Sequence, residues 1–374
     1  MPHVLVAPDK FKGSLPAREV ADSLIRGIRS TDPAVDAVAV PVADGGDGTL
    51  AAALAAGYTR VPVTANGPTG GPVQTAYARR DAVAVVEMAD VSGLAQLPGG
   101  RLQPLRASSR GVGEVIAAAL DAGCTSIVLG IGGSACTDGG AGLAQALGAR
   151  VLDAQGRQLP DGGAALVDAD EVDLSGLHPR LAAAEVVVAC DVDNPLTGPD
   201  GAAAVYGPQK GASPQDVAVL EQALQRWAKV LAAATGSDLS DRAGAGAAGG
   251  VGLAGLALLG GTLRPGIDLV LELVGFADRL GDARLVITGE GALDAQTLRG
   301  KAPAGVAAAA AAAGVPVVAV CGTSQLSESA LRGAGITAAY ALHDIEADLG
   351  RCMTEAAPLL EQLGRMIALE HLHR

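Results

Sequence analysis

Aromatic side chains are almost missing from this chain: one Trp, four Tyr and two Phe in 374 residues, 2% of the total. So few rings leave no stacking platform for nucleobases. Positive charge is scarce too, with 27 Lys and Arg against 40 Asp and Glu, a formal net charge of -13, and no basic run. Nucleic acid and anionic membrane surfaces are therefore not expected as partners. The five cysteines, Cys124, Cys136, Cys190, Cys321 and Cys352, contain no CxxC pair. An odd number in a long chain suggests neither a disulfide scaffold nor a zinc site. Cys124, Cys190 and Cys321 lie in or beside apolar runs and read as small core residues. Long membrane-type runs are lacking as well. Residues 245–263 are rich in glycine, and residues 304–322 are broken by Gly314 and Pro316, so both read as buried elements. The first residues lead straight into a strand run with no basic segment ahead of an apolar one, so a signal peptide is not expected and a cytoplasmic location is.

What the chain has in quantity is glycine, 52 residues. The densest stretch is VLGIGGSACTDGGAG at residues 128–142, read with the acidic turn ADGGDGT at residues 43–49. A short run ending at Leu129 has the pattern of a buried parallel strand. Beyond it Gly130, Gly132, Gly133 and Ser134 thin out the backbone, and residues 141–147 read as a small-residue helix. Strand, glycine turn and helix make a cradle for phosphate or carboxylate, since glycine lets main-chain N–H groups approach an anion. A tight turn with close helix–strand packing is the alternative.

Strand runs at residues 4–7 and 38–42 are followed by polar loops, APDKFKGS and ADGGDGT, and by helices, the first reaching about Arg29 with Ser14 as a plausible N-cap. Residues 61–65, 73–78 and 82–88 read as strands with no helix between them, hence antiparallel or mixed pairing. A helix at residues 110–122, an excursion over 154–179, a strand at 185–189 and a helix at 214–234 capped by Ser213 come next. The tail, with strands at 285–288 and 315–320 around an alanine helix, resembles the start more than the middle. The predicted fold is α/β with two domains. A Rossmann- or flavodoxin-like parallel-sheet domain takes residues 1–60 and 275–374, with a mixed α/β domain, residues 61–274, inserted into it.

Walker, kinase, zincin and GxSxG signatures are absent. Gly130 to Ala135 fits GxGxxA, with Asp153 at a workable distance, so an NAD(P)-dependent hydroxy-acid dehydrogenase is one alternative reading. A second GxGxxG match begins at Gly244 without a strand before it. Lys10, Lys12 and Ser14 surround a strand-to-helix turn where two lysines could hold a carboxylate or phosphate, or where a solvated turn is all there is. Asp191, after a strand and beside Asp193 and Asn194, is a candidate general base, metal ligand or turn former. Glu290 stands between Gly289 and Gly291 with Asp294 and Lys301 close behind, a pattern suited to Mg²⁺. A non-enzymatic anion- or metabolite-binding protein is the third reading, disfavoured by so many acidic residues at strand ends.

Taken in order, APDKFKGSL, PVADGGDGT, SSRGVGE, GIGGSACTDGGAG, CDVDNPLTGPDGAA, YGPQKGA, GAGAAGG and GEGALDAQTLRGKAP resemble the bacterial glycerate kinases of the type-1 family. The resemblance implies ATP- and Mg²⁺-dependent phosphorylation of D-glycerate, with 2-phosphoglycerate expected over 3-phosphoglycerate. It implies a two-domain α/β architecture with the active site in the cleft between domains and closure that excludes water, in a monomer or homodimer. Lys12 and Asp191 become the expected catalytic residues, and Asp9, Lys10, Ser14, Arg110 and Ser134 the expected substrate contacts. Gly132, Gly133, Asp138, Gly289, Gly291 and Lys301 are expected at the nucleotide phosphates, and Asp44, Glu290 and Asp294 at the metal. Two departures are visible. Cys136 and Thr137 stand where the family commonly has threonine and asparagine, and Lys10 stands where serine is frequent.

Overall fold

The computed structural model describes residues 3–372. The chain divides into two compact units, one of Met1–Asp44, Ala51–Gly57 and Ile267–Arg374, the other of Gly45–Leu50 and Tyr58–Gly266.

The first unit is built on a five-stranded sheet in the order Ile336–Ala341, Val317–Ser324, Ala283–Leu293, His3–Pro8, Ala37–Ala39. All its pairings are parallel. Its strands are apolar on both faces, as a sheet covered by helices on either side requires. Alternate residues go opposite ways. Val4, Val6, Leu285, Ile287, Val318 and Val320 enter one core with helices Ala17–Thr31 and Ala356–His371. Leu5, Ala7, Val286, Val317 and Ala319 enter a second core with the alanine helix Ala302–Ala312.

Two local expectations fail here. Ser14 does not cap the first helix: Pro16 occupies the N-cap position, and Ser14 Oγ donates to the Met353 carbonyl at 2.5 Å. Gly289-Glu290-Gly291 does not end its strand either. The strand runs through to Leu293, with Gly289 opposite Val320 and Glu290 opposite Cys321. Glycine is required at position 289 for packing, because a Cβ there would fall on the Val320 carbonyl oxygen.

The second unit carries a six-stranded mixed sheet in the order Thr262–Arg264, Glu185–Ala189, Ser126–Gly130, Val83–Glu87, Pro72–Arg80, Thr59–Asn66. The first four run parallel, and the last two are joined by antiparallel pairings, Pro72–Arg80 to Val83–Glu87 and Thr59–Asn66 to Pro72–Arg80, as the helix-free sequence between them predicts. The excursion after residue 153 holds more order than its polarity suggests. It includes a 3-10 segment, Gly163–Asp168, and a strand, Glu171–Asp173, paired antiparallel with Arg150–Leu152. Helix Pro214–Thr235 starts with the expected cap, a reciprocal box between Ser213 and Asp216. Among the described residues, no helix is long and apolar enough to cross a membrane.

Candidate active site

In the first unit the sheet's carboxyl edge gathers three of the expected carboxylates. Asp9 follows strand His3–Pro8 directly, and its amide donates to the Gly289 carbonyl of the neighbouring strand at 2.8 Å. Burial first, then the charges of Asp44 and Glu290, push the Asp9 carboxyl up to about 7 against the opposing pull of Lys10. Lys10 is half-buried, with its ammonium 3.5 Å from Asp9 Oδ1. Lys12 is exposed, and its backbone runs beside Gly291. Glu290 Oε1 accepts from Thr297 Oγ1 at 2.6 Å, and Oε2 faces Lys301 Nζ at 3.3 Å. Burial raises the Glu290 carboxyl above its usual range despite those two donors. Asp294 supports the turn that follows. Its Oδ1 accepts from the Gln296 and Thr297 amides, which holds its carboxyl below the usual range and shapes the turn into segment Thr297–Arg299.

Surplus negative charge at this edge is what a cation would relieve. No group of three or more His, Cys, Asp or Glu placed to hold a metal occurs among the described residues. Mg²⁺ needs none, since it takes one or two carboxylates and fills the rest with phosphate oxygens and water. The donor set fits a magnesium–phosphate complex and not an all-protein cage.

In the second unit the glycine stretch turns out to be packed rather than open. Strand Ser126–Gly130 is followed by ten non-helical positions before the helix Ala141–Ala146 begins. The acidic turn lies across its start. A Cβ on Gly130 would lie 2.6 Å from the Gly45 carbonyl oxygen, and one on Gly132 would lie 2.6 Å from Gly46 Cα. Gly133 has the left-handed φ of 74° that an L side chain resists.

Asp138 fills the helix terminus itself. Fully buried, it accepts from the Ser109 amide and hydroxyl at 2.8 and 2.9 Å, and from the Gly140 and Gly142 amides at 3.1 and 3.3 Å. The anion predicted at this helix start is thus one of the chain's own carboxylates. The dehydrogenase reading is not favoured, because a dinucleotide loop must run straight into a helix whose terminus stays open to pyrophosphate. Asp153, its ribose partner in that reading, is tied to Arg157 and the Gln155 amide.

Arg110 forms a two-pronged pair with Asp161, Nε to Oδ2 at 2.6 Å and Nη2 to Oδ1 at 2.8 Å. Asp191 is exposed at the end of strand Glu185–Ala189, and its Oδ1 accepts from the Gly266 amide at 2.7 Å. Ser134 is buried and accepts from Lys210 Nζ at 2.8 Å.

Three supporting residues escape a reading of the sequence. Glu87, 5% exposed, anchors the acidic turn by accepting from the Gly48 amide at 3.3 Å and the Leu50 amide at 2.8 Å. Lys210 is 2% exposed beneath the glycine stretch. Trp227, the only tryptophan in the sequence, donates its indole N–H to the Gly139 carbonyl at 2.9 Å. Only a strand-end carboxylate after VAVV, and a lysine inside the quoted YGPQKGA, could have pointed to the first two.

Comparison with known proteins agrees with this frame. Residues 4–371 match the Glycerate kinase family. The glycerate kinase of Bacillus subtilis (strain 168) is 45% identical, covering 98% of this chain and 96% of its own. The glycerate 2-kinase of Escherichia coli (strain K12) is 43% identical over 91% of this chain and 90% of its own. The crystal structure of a Salmonella typhimurium LT2 protein assigned as glycerate kinase 2 superposes with a TM-score of 0.85 at 43% identity, covering 98% of this chain and 97% of that one. The agreement spans nearly the whole chain and both units, and the chain belongs to the glycerate kinase family of enzymes.

Proposed function

We propose that the protein transfers the terminal phosphoryl group of ATP to the 2-hydroxyl of D-glycerate in the presence of Mg²⁺. The observation that carries this reading is the cluster of Asp9, Asp44 and Glu290 at one sheet edge, where burial first, and the neighbouring carboxylates after it, lift the Asp9 carboxyl to about 7, in a chain of this family. Choice of the 2-position follows the name of the Escherichia coli relative, a glycerate 2-kinase.

Phosphoryl transfer asks for positioning and charge neutralisation more than for covalent help from the protein. Asp44 and Glu290 would hold Mg²⁺, which when bound neutralises charge on the ATP phosphates. Lys12, exposed on its loop, attracts the glycerate carboxylate as a point charge. Lys301, beside Glu290, adds a cation for the phosphates. Asp191 is oriented by the Gly266 amide. It takes the proton of the glycerate hydroxyl as that oxygen bonds to the γ-phosphorus and the bond to the β-phosphate oxygen breaks. Arg110, paired with Asp161, stays outside the substrate set. The reading is completed by a cytoplasmic location and a small-molecule substrate, with neither nucleic acid nor membrane as partner.

The test is ADP release with ATP, Mg²⁺ and D-glycerate. The proposal expects ADP only when D-glycerate is present. Release that ignores glycerate, or none from folded protein, removes the reading.

A further inference from the structure

Lys210 is the one buried lysine among the described residues, at 2% exposed, and the reaction proposed above gives it no part. Burial of an ammonium is costly unless its protons are taken up. Here Nζ donates to Ser134 Oγ at 2.8 Å and to the Cys136 carbonyl, and burial holds the ammonium below its usual range against the opposing pull of Cys136 and Asp138. Both acceptors belong to the stretch between strand Ser126–Gly130 and helix Ala141–Ala146. The 3-10 segment Pro208–Lys210 that carries the lysine ends at Gly211, whose φ of 93° no other residue adopts easily.

The consequence falls on Ser134. A hydroxyl has one proton to give and two lone pairs to fill. Lys210 occupies a lone pair, and no acceptor for the Ser134 proton occurs among the described residues. A hydroxyl held this way has its proton available to an oxygen that the protein does not supply.

We propose that Lys210 is a positioning residue for the kinase reaction: by filling a lone pair of Ser134 Oγ it turns the Ser134 proton toward an anionic oxygen of a bound substrate. This rests on the reading above that the enzyme binds glycerate and ATP. The shared ligand chemistry is an anionic oxygen, the carboxylate of glycerate or a phosphate of ATP. A lysine that only satisfied the Cys136 carbonyl would fix the fold and leave Ser134 indifferent to it.

A double-mutant cycle in the full chain separates the two roles. Ser134→Ala, Lys210→Met and the pair are compared for kcat and KM, and for binding followed by Trp227 emission with D-glycerate alone and with ATP and Mg²⁺ alone. Trp227 reports on this stretch through its bond to Gly139. Each single change should weaken one and the same ligand by about tenfold, the size of one lost charge-assisted hydrogen bond, with a smaller effect on kcat. The pair should be no weaker than Ser134→Ala alone. Whichever ligand responds identifies the anionic oxygen.

Additive effects, or an effect of Lys210→Met on stability with none on affinity, would overturn the proposal. If Lys210→Met does not fold, the ammonium ¹H–¹⁵N signal of Lys210 in the unaltered protein decides. It must shift when the ligand that Ser134→Ala weakens is added, and an unmoved signal overturns the proposal. Wild-type turnover stands as a separate arm. Absent turnover with ligand binding intact strikes the kinase reading alone, and absent binding of both ligands overturns both.

Discussion

Asp138 Oδ2 takes both the amide and the hydroxyl of Ser109, at 2.8 and 2.9 Å, in a site closed to solvent. Ser109 Oγ in turn accepts from the Leu143 amide at 2.9 Å, so the pair ties the start of helix Arg110–Asp121 to helix Ala141–Ala146. Asp138→Asn places an amide where only acceptors fit, and it should cost about 3 kcal/mol of stability. Urea unfolding checks this. A variant of unchanged stability that has lost phosphate-dependent turnover would instead return Asp138 to the nucleotide.

Glu87 makes stability depend on pH. Burial is the largest cause lifting its carboxyl to about 7 from 4.5, with Asp47 and Asp90 adding to it and the Leu50 and Gly48 amides opposing. With the folded value above the unfolded one, folding takes up a proton. The contribution is fully present below about pH 4.5 and is lost as pH rises through about 7. Relative to Glu87→Gln, the wild type should lose roughly 3 kcal/mol between about pH 5 and pH 8, at about 1.4 kcal/mol per pKa unit. A difference that stays flat over that window contradicts the assignment.

Thr137 carries an unmade hydrogen bond. Its hydroxyl is fully buried and finds no partner among the described residues. Thr137→Val keeps the shape and removes the orphan, so stability should rise by about 1 kcal/mol. A fall of that size in the urea midpoint analysis would mean the hydroxyl is satisfied.

Asp191→Asn keeps an oxygen for the Gly266 amide and removes the base. The fold should persist, and kcat should drop by about two orders of magnitude or more. Turnover close to wild type in the purified variant would dismiss Asp191 from proton transfer.

Local chemistry was the legible part. The alternating cores of the first unit follow from runs such as Val4-Leu5-Val6-Ala7, and the Ser213 cap follows from its own next three residues. Gly289 misled because glycine in a strand reads as an ending, whereas its cause is the Val320 carbonyl on a strand far along the chain. Lys210 and Glu87 share that difficulty. Their partners lie 76 and 39 residues away, and nothing adjacent to either announces a buried charge. Asp138 was legible as a carboxylate beside an anion cradle, but not as the anion that occupies the helix terminus.

Proton-coupled phosphorus NMR of the product made from ATP, Mg²⁺ and D-glycerate tests the central claim most directly. Transfer to the 2-hydroxyl places phosphorus next to a single carbon-bound proton, and the account predicts a doublet. A triplet, the mark of a phosphate on the CH₂ carbon, or no phosphoglycerate signal at all would contradict it.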